Sequence, residues 1–368
     1  MTEVLLQQLN SQDLQWLKGN GERQLINSGE SLIQQREKVE RLYIILNGEF
    51  AAVISKHSEG VLGRVFSALE DDSNLEREIA RLGNGEVIGE MSFLDISPAA
   101  NAFTAVENSL VLGIPREKLR NKLEQDLGFA ARFYRAIAIL LIERFEHLVN
   151  LYLRNRLGKL NLLQDVPILF GELKDSDVDW MVHHGVLQEV PPGQILTKVG
   201  RQVENFYIIL QGTISLMVSE DQQNQITSIF AALEQDEDSE SELEREIAQL
   251  SRGEIVGETA AFDSYLSPVT LRTLENTVVL AISREKLLVK LQQDLGMAAR
   301  FYRVVAILLS GRLQGLISRL GFGKGSYQFG QSLSSGTEYE DEIDLSVMDK
   351  IFLGGARFDW MLKRLRVI

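Results

Sequence analysis

The chain repeats itself. Leu75-Glu76-Arg77-Glu78-Ile79-Ala80 recurs as Leu243-Glu244-Arg245-Glu246-Ile247-Ala248, an offset of 168 residues. The same offset relates Gly89-Glu90 to Gly257-Glu258, Arg116-Glu117-Lys118-Leu119 to Arg284-Glu285-Lys286-Leu287, and Asp126-Leu127-Gly128 to Asp294-Leu295-Gly296. Upstream, Tyr43-Ile44-Ile45-Leu46 answers to Tyr207-Ile208-Ile209-Leu210 at an offset of 164, so the second copy carries a short insertion in its acidic stretch, residues 235–242. A long internal duplication constrains the fold before any other feature, because it sets the domain count and lets each copy test the other. The expectation is two similar domains, residues 1–160 and 161–320, followed by a tail, residues 321–368.

Composition narrows the class. With 45% hydrophobic and 24% charged residues the chain has material for real cores. It contains no cysteine, which removes disulfides, thiolate metal sites and cysteine nucleophiles together. No window approaches the roughly 18 uninterrupted apolar residues of a membrane span, and Met1-Thr2-Glu3 lacks the basic start of a secretion signal. A cytoplasmic protein without a transmembrane segment is expected. The formal charge of −14 argues against direct nucleic-acid binding, since a duplex-binding surface must present many Lys and Arg.

Each copy shows the same order of elements. A short helix comes first, residues 11–18 and 175–183, with Trp16 and Trp180 at matching places. Strand-like runs punctuated by glycine follow. Residues 42–46 are expected to turn at Asn47-Gly48 into residues 50–54 as a hairpin, and residues 206–218 to do likewise at Gln211-Gly212. Many short strands at close spacing suggest a small antiparallel barrel or jelly roll. Then Pro115, at a favoured first helical position, opens an apolar stripe from Leu119 through Phe133 and Ile137 to Leu141, repeated from Leu287 to Leu309, which predicts one long amphipathic helix per copy. Both stripes outrun a small barrel. The two helices are therefore expected to pack on each other as an intramolecular pseudo-dimer, with homo-oligomerisation as a further option.

The run Leu42-Tyr43-Ile44-Ile45-Leu46-Asn47-Gly48-Glu49, followed by Gly83-Asn84-Gly85-Glu86-Val87-Ile88-Gly89-Glu90-Met91-Ser92-Phe93-Leu94, resembles the cyclic-nucleotide-binding domain superfamily. So does Gly253-Glu254-Ile255-Val256-Gly257-Glu258-Thr259-Ala260-Ala261-Phe262 in the second copy. The resemblance implies an α+β fold class: two tandem jelly-roll β-barrels, each followed by a long amphipathic helix. It also implies that Gly89-Glu90 and Gly257-Glu258 open a phosphate-binding cassette. In the family the glutamate accepts a hydrogen bond from a ribose hydroxyl, and an arginine further on pairs with the cyclic phosphate, a match of guanidinium fork to phosphate oxygens.

Neither copy supplies that arginine. Alignment on Pro98 puts Ala99 in its place, leaving Asn101 and Thr104 as the nearby polar side chains; alignment on Glu107-Asn108 and Glu275-Asn276 puts Ser267 there, with Thr270 after it. Arg272 falls at an odd offset from Ser267, on the other strand face. The candidate ligand residues are thus Gly89, Glu90, Asn101, Thr104, Gly257, Glu258, Ser267 and Thr270, with no cofactor expected. The plain alternative for Glu90 and Glu258 is a glutamate that holds a tight turn by bonding nearby amides. The four histidines lie on unrelated elements and no Ser-His-Asp arrangement has local support, so neither a metal site nor an enzyme is expected. Gly321-Phe322-Gly323-Lys324-Gly325 lacks the Ser or Thr of a phosphate loop and reads as linker.

The tail combines Gly and Ser, an acidic run at residues 338–342, and Arg357-Phe358-Asp359-Trp360-Met361-Leu362-Lys363-Arg364-Leu365. Phe358, Met361, Leu362 and Leu365 share one helical face, and with Trp360 they form an expected docking element for another protein; folding back as a cap is the alternative. Residues 321–368 leave little room for a winged-helix DNA reader. The leading expectation is a non-enzymatic regulatory or adaptor protein with degenerate nucleotide sites, set against a true sensor with one working site in the second copy, or a structural component of a larger assembly.

Overall fold

The computed structural model describes residues 4–55, 76–95, 98–154, 166–219, 244–262, 265–321 and 345–367. The acidic insertion at 235–242, the glycine-rich linker beyond Gly321 and the acidic run at 338–342 lie outside them. The first copy opens with helices α1 (Val4–Gln8) and α2 (Ser11–Asn20). It continues through β1 (Glu22–Ile26), β2 (Ser31–Ile33), β3 (Arg41–Asn47), β4 (Phe50–Ser55), β5 (Glu76–Leu82), β6 (Val87–Ile88), helix α3 (Glu90–Asp95), β7 (Ala102–Ala105) and β8 (Ser109–Pro115). Helices α4 (Arg116–Gln125) and α5 (Leu127–Arg154) close it.

The strands form two antiparallel four-stranded sheets, β1-β8-β3-β6 and β2-β7-β4-β5. Ile26, Ile45, Phe50, Ile88 and Val111 are buried in one core cluster with Ala99. This is the jelly roll that the sequence predicts. One expectation is corrected: β3 and β4 are not a hairpin, because β3 pairs with β6 and β8 whereas β4 pairs with β5 and β7. Asn47-Gly48 is instead a corner between sheets. Gly48 sits at φ +105°, and a Cβ there would lie 2.1 Å from the Ser109 hydroxyl oxygen, so only glycine makes this turn.

The second copy repeats the plan. Helices α6 (Val166–Glu172) and α7 (Asp175–His184) lead into β9 (Val186–Val190), β10 (Ile195–Thr197), β11 (Asn205–Gln211), β12 (Ile214–Ser219), β13 (Glu244–Leu250), β14 (Ile255–Val256), β15 (Thr270–Thr273) and β16 (Thr277–Ser283), then helices α8 (Arg284–Gln293) and α9 (Leu295–Gly321). The sheets are β9-β16-β11-β14 and β10-β15-β12-β13, the same order as before. Here too the expected hairpin at Gln211-Gly212 is a corner.

The expected single helix after each barrel is two. Pro115 ends β8 and helix α4 begins at Arg116; the break before α5 falls at Asp126, whose Oδ1 accepts the Phe129 amide at 2.9 Å while Oδ2 meets Lys122 Nζ at 2.8 Å. Asp294 does the same with the Met297 amide and Lys290, each at 2.9 Å. A carboxylate that caps the first turn of a new helix outcompetes continuation of the old one. These partners hold both acids below the usual carboxylate range: Lys122 and then the Phe129 amide for Asp126, the Met297 amide and then Lys290 for Asp294.

Each long helix is clamped to the leading helices of its own copy. Buried Asp13 takes a two-pronged bond from Arg132 at 2.6 and 2.9 Å, and buried Asp177 takes the same from Arg300 at 2.7 and 2.9 Å. Two parallel N–H···O bonds fix the arginine fork as well as its charge.

The chain divides into two compact units. One unit comprises residues 1–155 with 309–331, and the other 156–308 with 332–368. The tail helix α10 (Leu345–Leu365) thus belongs to the second unit, where it packs on α6 and α7. Lys350 bonds Glu172 at 2.6 Å, Arg357 bonds Asp175 at 2.7 Å and reaches the Phe170 carbonyl at 2.7 Å, and Phe358 lies 5.9 Å from Phe170.

Candidate functional site

In the first copy the turn before the cassette is self-supporting. Buried Glu86 accepts the Gly83 amide at 2.6 Å, and Glu254 closes the equivalent turn on the Ser251 amide. Gly89 follows at φ +92°, where a Cβ would fall 2.9 Å from Val39 Cγ1 and 3.1 Å from the Arg41 carbonyl; Gly257, at φ +76°, would meet the Asn205 carbonyl at 2.5 Å. Both glycines are required by chain packing, before any ligand is considered.

Glu90 starts α3 and is 2% exposed. Its Oε1 accepts from Nη1 of Arg144, which comes from the middle of α5, and Arg144 Nη2 donates to the Val87 carbonyl at 2.6 Å. The long helix therefore inserts a guanidinium where the resemblance implies a ribose. Sequence reasoning missed Arg144. The signal was present in the duplication: Arg312 stands 168 residues later in α9, another arginine in an apolar stripe, and it is buried where Arg144 is partly so.

Glu90, Asn101 and Arg144 line a cavity of about 80 Å³ whose apolar walls include Ala52, Ile79, Phe103, Leu148 and, from the 309–331 segment of the same unit, Leu313 and Ile317. That volume is about half of the roughly 150 Å³ that accommodates benzene. Thr104 is not part of the lining; it lies on β7 opposite Ser31 and Ala51. Of the first-copy ligand candidates, the fold brings together Glu90 and Asn101. Asn101 turns its amide to the Ala102 carbonyl at 3.2 Å. Ala99, at the arginine position, is buried in the barrel core.

In the second copy Glu258 is half-buried and begins a 3-10 turn, Glu258–Ala261. Ser267, at the arginine position, is buried, and its hydroxyl donates to the Val269 carbonyl at 2.7 Å. Thr270 accepts the Val199 amide at 3.2 Å. Arg272 pairs with Glu244 at 3.3 Å. Both hydroxyls thus serve their own backbone.

The docking expectation for the tail is corrected in part. Phe358, Met361 and Leu362 are buried and Leu365 is half-buried, because the apolar face that they form covers α6 and α7 of its own unit; Trp360 remains exposed. An apolar helix face next to an uncovered apolar surface on the same unit docks there, without the entropy loss of bringing in a second molecule. Among the described residues no group of three or more His, Asp and Glu gathers as a metal site, and no helix is long and apolar enough to cross a membrane.

The family model described as the cyclic nucleotide-binding domain matches residues 23–126 and 232–294. Among solved structures, the regulatory domain of Toxoplasma gondii PKA with cAMP is 17% identical, with 80% of this chain and 89% of that chain covered and a TM-score of 0.28. The regulatory subunit of a cAMP-independent protein kinase A from Trypanosoma brucei is 18% identical, covers 76% and 80%, and has a TM-score of 0.27. The N-terminal domain of a transcriptional regulator from Streptomyces coelicolor is 21% identical over 38% of this chain and 87% of that one, with a TM-score of 0.30. No curated protein matches the chain. The family match falls within both copies, and both copies build the same pair of four-stranded sheets: the chain is similar to the cyclic nucleotide-binding domain in each of its two repeats.

Proposed function

We propose that this is a cytoplasmic, non-enzymatic regulatory protein whose cyclic-nucleotide-binding domains no longer hold a cyclic nucleotide and which acts through contacts with other proteins. The observation that carries the reading is the fate of the site residues. Glu90 is engaged by Arg144 of its own chain, Ala99 belongs to the core, and Ser267 bonds its own backbone. A buried cyclic phosphate without a cationic fork loses several kcal/mol of charge-assisted bonding, and at about 1.4 kcal/mol per decade this turns a micromolar site into one of order millimolar. A cavity of about 80 Å³ is also small beside the roughly 300 Å³ at which small-molecule pockets begin.

Calorimetric titration of the full chain with cyclic AMP and cyclic GMP tests this. No saturable heat is expected at micromolar ligand. Micromolar binding abolished by Glu258→Ala would overturn the reading in favour of a sensor with a working second site.

A further inference from the structure

Helix α10 has a second face. While Phe358, Met361 and Leu362 turn inward, Phe352 is 70% exposed and Trp360 44% exposed, with exposed Ala356 midway between them. Exposed Asp349 and Lys363 lie further out along the same stripe. At about 100° per residue, positions four and seven places from Ala356 drift by only about 40° and 20°, so all five residues project from one side of the helix.

Their order is a palindrome in chemistry. Aromatic rings stand four places on either side of Ala356, and opposite charges stand seven places on either side. We propose that this face binds a second copy of the chain, with the two α10 helices antiparallel and Ala356 on the twofold axis. In that arrangement Phe352 packs against Trp360 of the partner subunit, and Asp349 meets Lys363 of the partner subunit. Each contact occurs twice, as an isologous interface requires.

Ala356, flanked by Gly355, keeps the crossing point small enough for the roughly 8–10 Å approach of packed helices. The aromatic residues supply the kind of anchor that dominates interfaces, and an exposed aromatic ridge is otherwise uncommon on a protein surface. A parallel pairing would set Asp349 against Asp349 and Lys363 against Lys363, which like-charge repulsion disfavours. An anionic membrane fits the face less well, because Asp349 and Asp359 are exposed along it. A single helix pair falls at the small end of specific interfaces, so the dimer is reversible, with a dissociation constant on the order of 10 µM. The inference stands whether or not either barrel binds a nucleotide.

Sedimentation velocity of the full chain from about 1 to about 200 µM, at physiological salt, reads it directly. The expected result is a shift from monomer to dimer across that range, with Trp360→Ala weakening the dimer by about tenfold or more. Asp349→Lys and Lys363→Asp should each weaken it, and the two together should restore it. These positions are fourteen apart on one helix, beyond reach of each other within a chain, so rescue must come from a partner. A monomer at every concentration overturns the proposal. So does a dimer indifferent to Trp360→Ala, or a double charge swap no better than the singles. Because all these side chains are exposed, an unchanged melting temperature verifies that each variant is folded.

Discussion

Leu6 and Phe170 hold the same place in the two copies, 164 residues apart, and meet opposite fates. Leu6 on α1 is 58% exposed, whereas Phe170 on α6 is fully buried beside Phe358 of the tail helix. Their neighbours diverge in step. Gln7 and Gln8 become Gly171 and Glu172; the glycine admits the backbone of Lys350, and the glutamate ties Arg303 at 2.7 Å to Lys350 at 2.6 Å. Gln8, by contrast, bonds only the Arg135 counterpart of Arg303 among the contacts described. The second copy has thus diverged from the shared frame at its leading helices, where it receives the tail helix.

The two copies differ most in burial at Leu6 and Phe170. Phe170→Ala should cost about 3–5 kcal/mol in urea unfolding, the range for a large buried aromatic, while Leu6→Ala should stay within about 0.5 kcal/mol. Equal costs would break the asymmetry. Next, Gly171→Val places a branched side chain where a Cβ already lies 2.6 Å from the Lys350 carbonyl, and should cost about 1–3 kcal/mol by overpacking. Hydrogen exchange should show the amides of residues 358–362 losing protection. Gln7→Val, on the uncovered helix of the first copy, should be near neutral.

The smallest effect belongs to what the copies share. Asp126→Ala and Asp294→Ala should each cost about 1 kcal/mol at neutral pH, the worth of a helix cap. Because both carboxyls are lowered in the folded state, their contribution is complete above the unfolded Asp value of about 3.9 and is lost as pH falls through the lowered folded values. The wild-type advantage over either variant should therefore shrink as melting temperature is followed below about pH 4. An advantage that grows on acidification contradicts the assignment.

Much of this frame was legible in the sequence because duplication repeats constraints. Gly89 and Gly257 recur since no other residue fits either turn, and the alternation of short strands with glycine pointed to the jelly roll. What escaped was the long-range partnering. Asn47-Gly48 has the local signature of a hairpin, but strand pairing is decided by which sheet each strand joins, and that depends on residues far along the chain. The break at Asp126 is hidden by an apolar stripe that continues across it. Arg144 lies 54 residues from Glu90, and only the fold brings the two together, while Phe358, Met361 and Leu362 show an apolar face without saying what it covers.

Glu90 serves the fold through its bond to Arg144. A double-mutant cycle tests it most directly, with Trp180→Phe and Trp360→Phe in the background so that Trp16 alone reports unfolding of the first copy. Glu90→Leu and Arg144→Met should each destabilise by about 3–5 kcal/mol, because each strands a buried charge. The double variant, with neither charge, should return close to the parent stability, giving a coupling of several kcal/mol. Single variants that cost nothing, or costs that simply add in the double variant, would show that Glu90 and Arg144 are not a structural pair and would reopen the cassette as a ligand site.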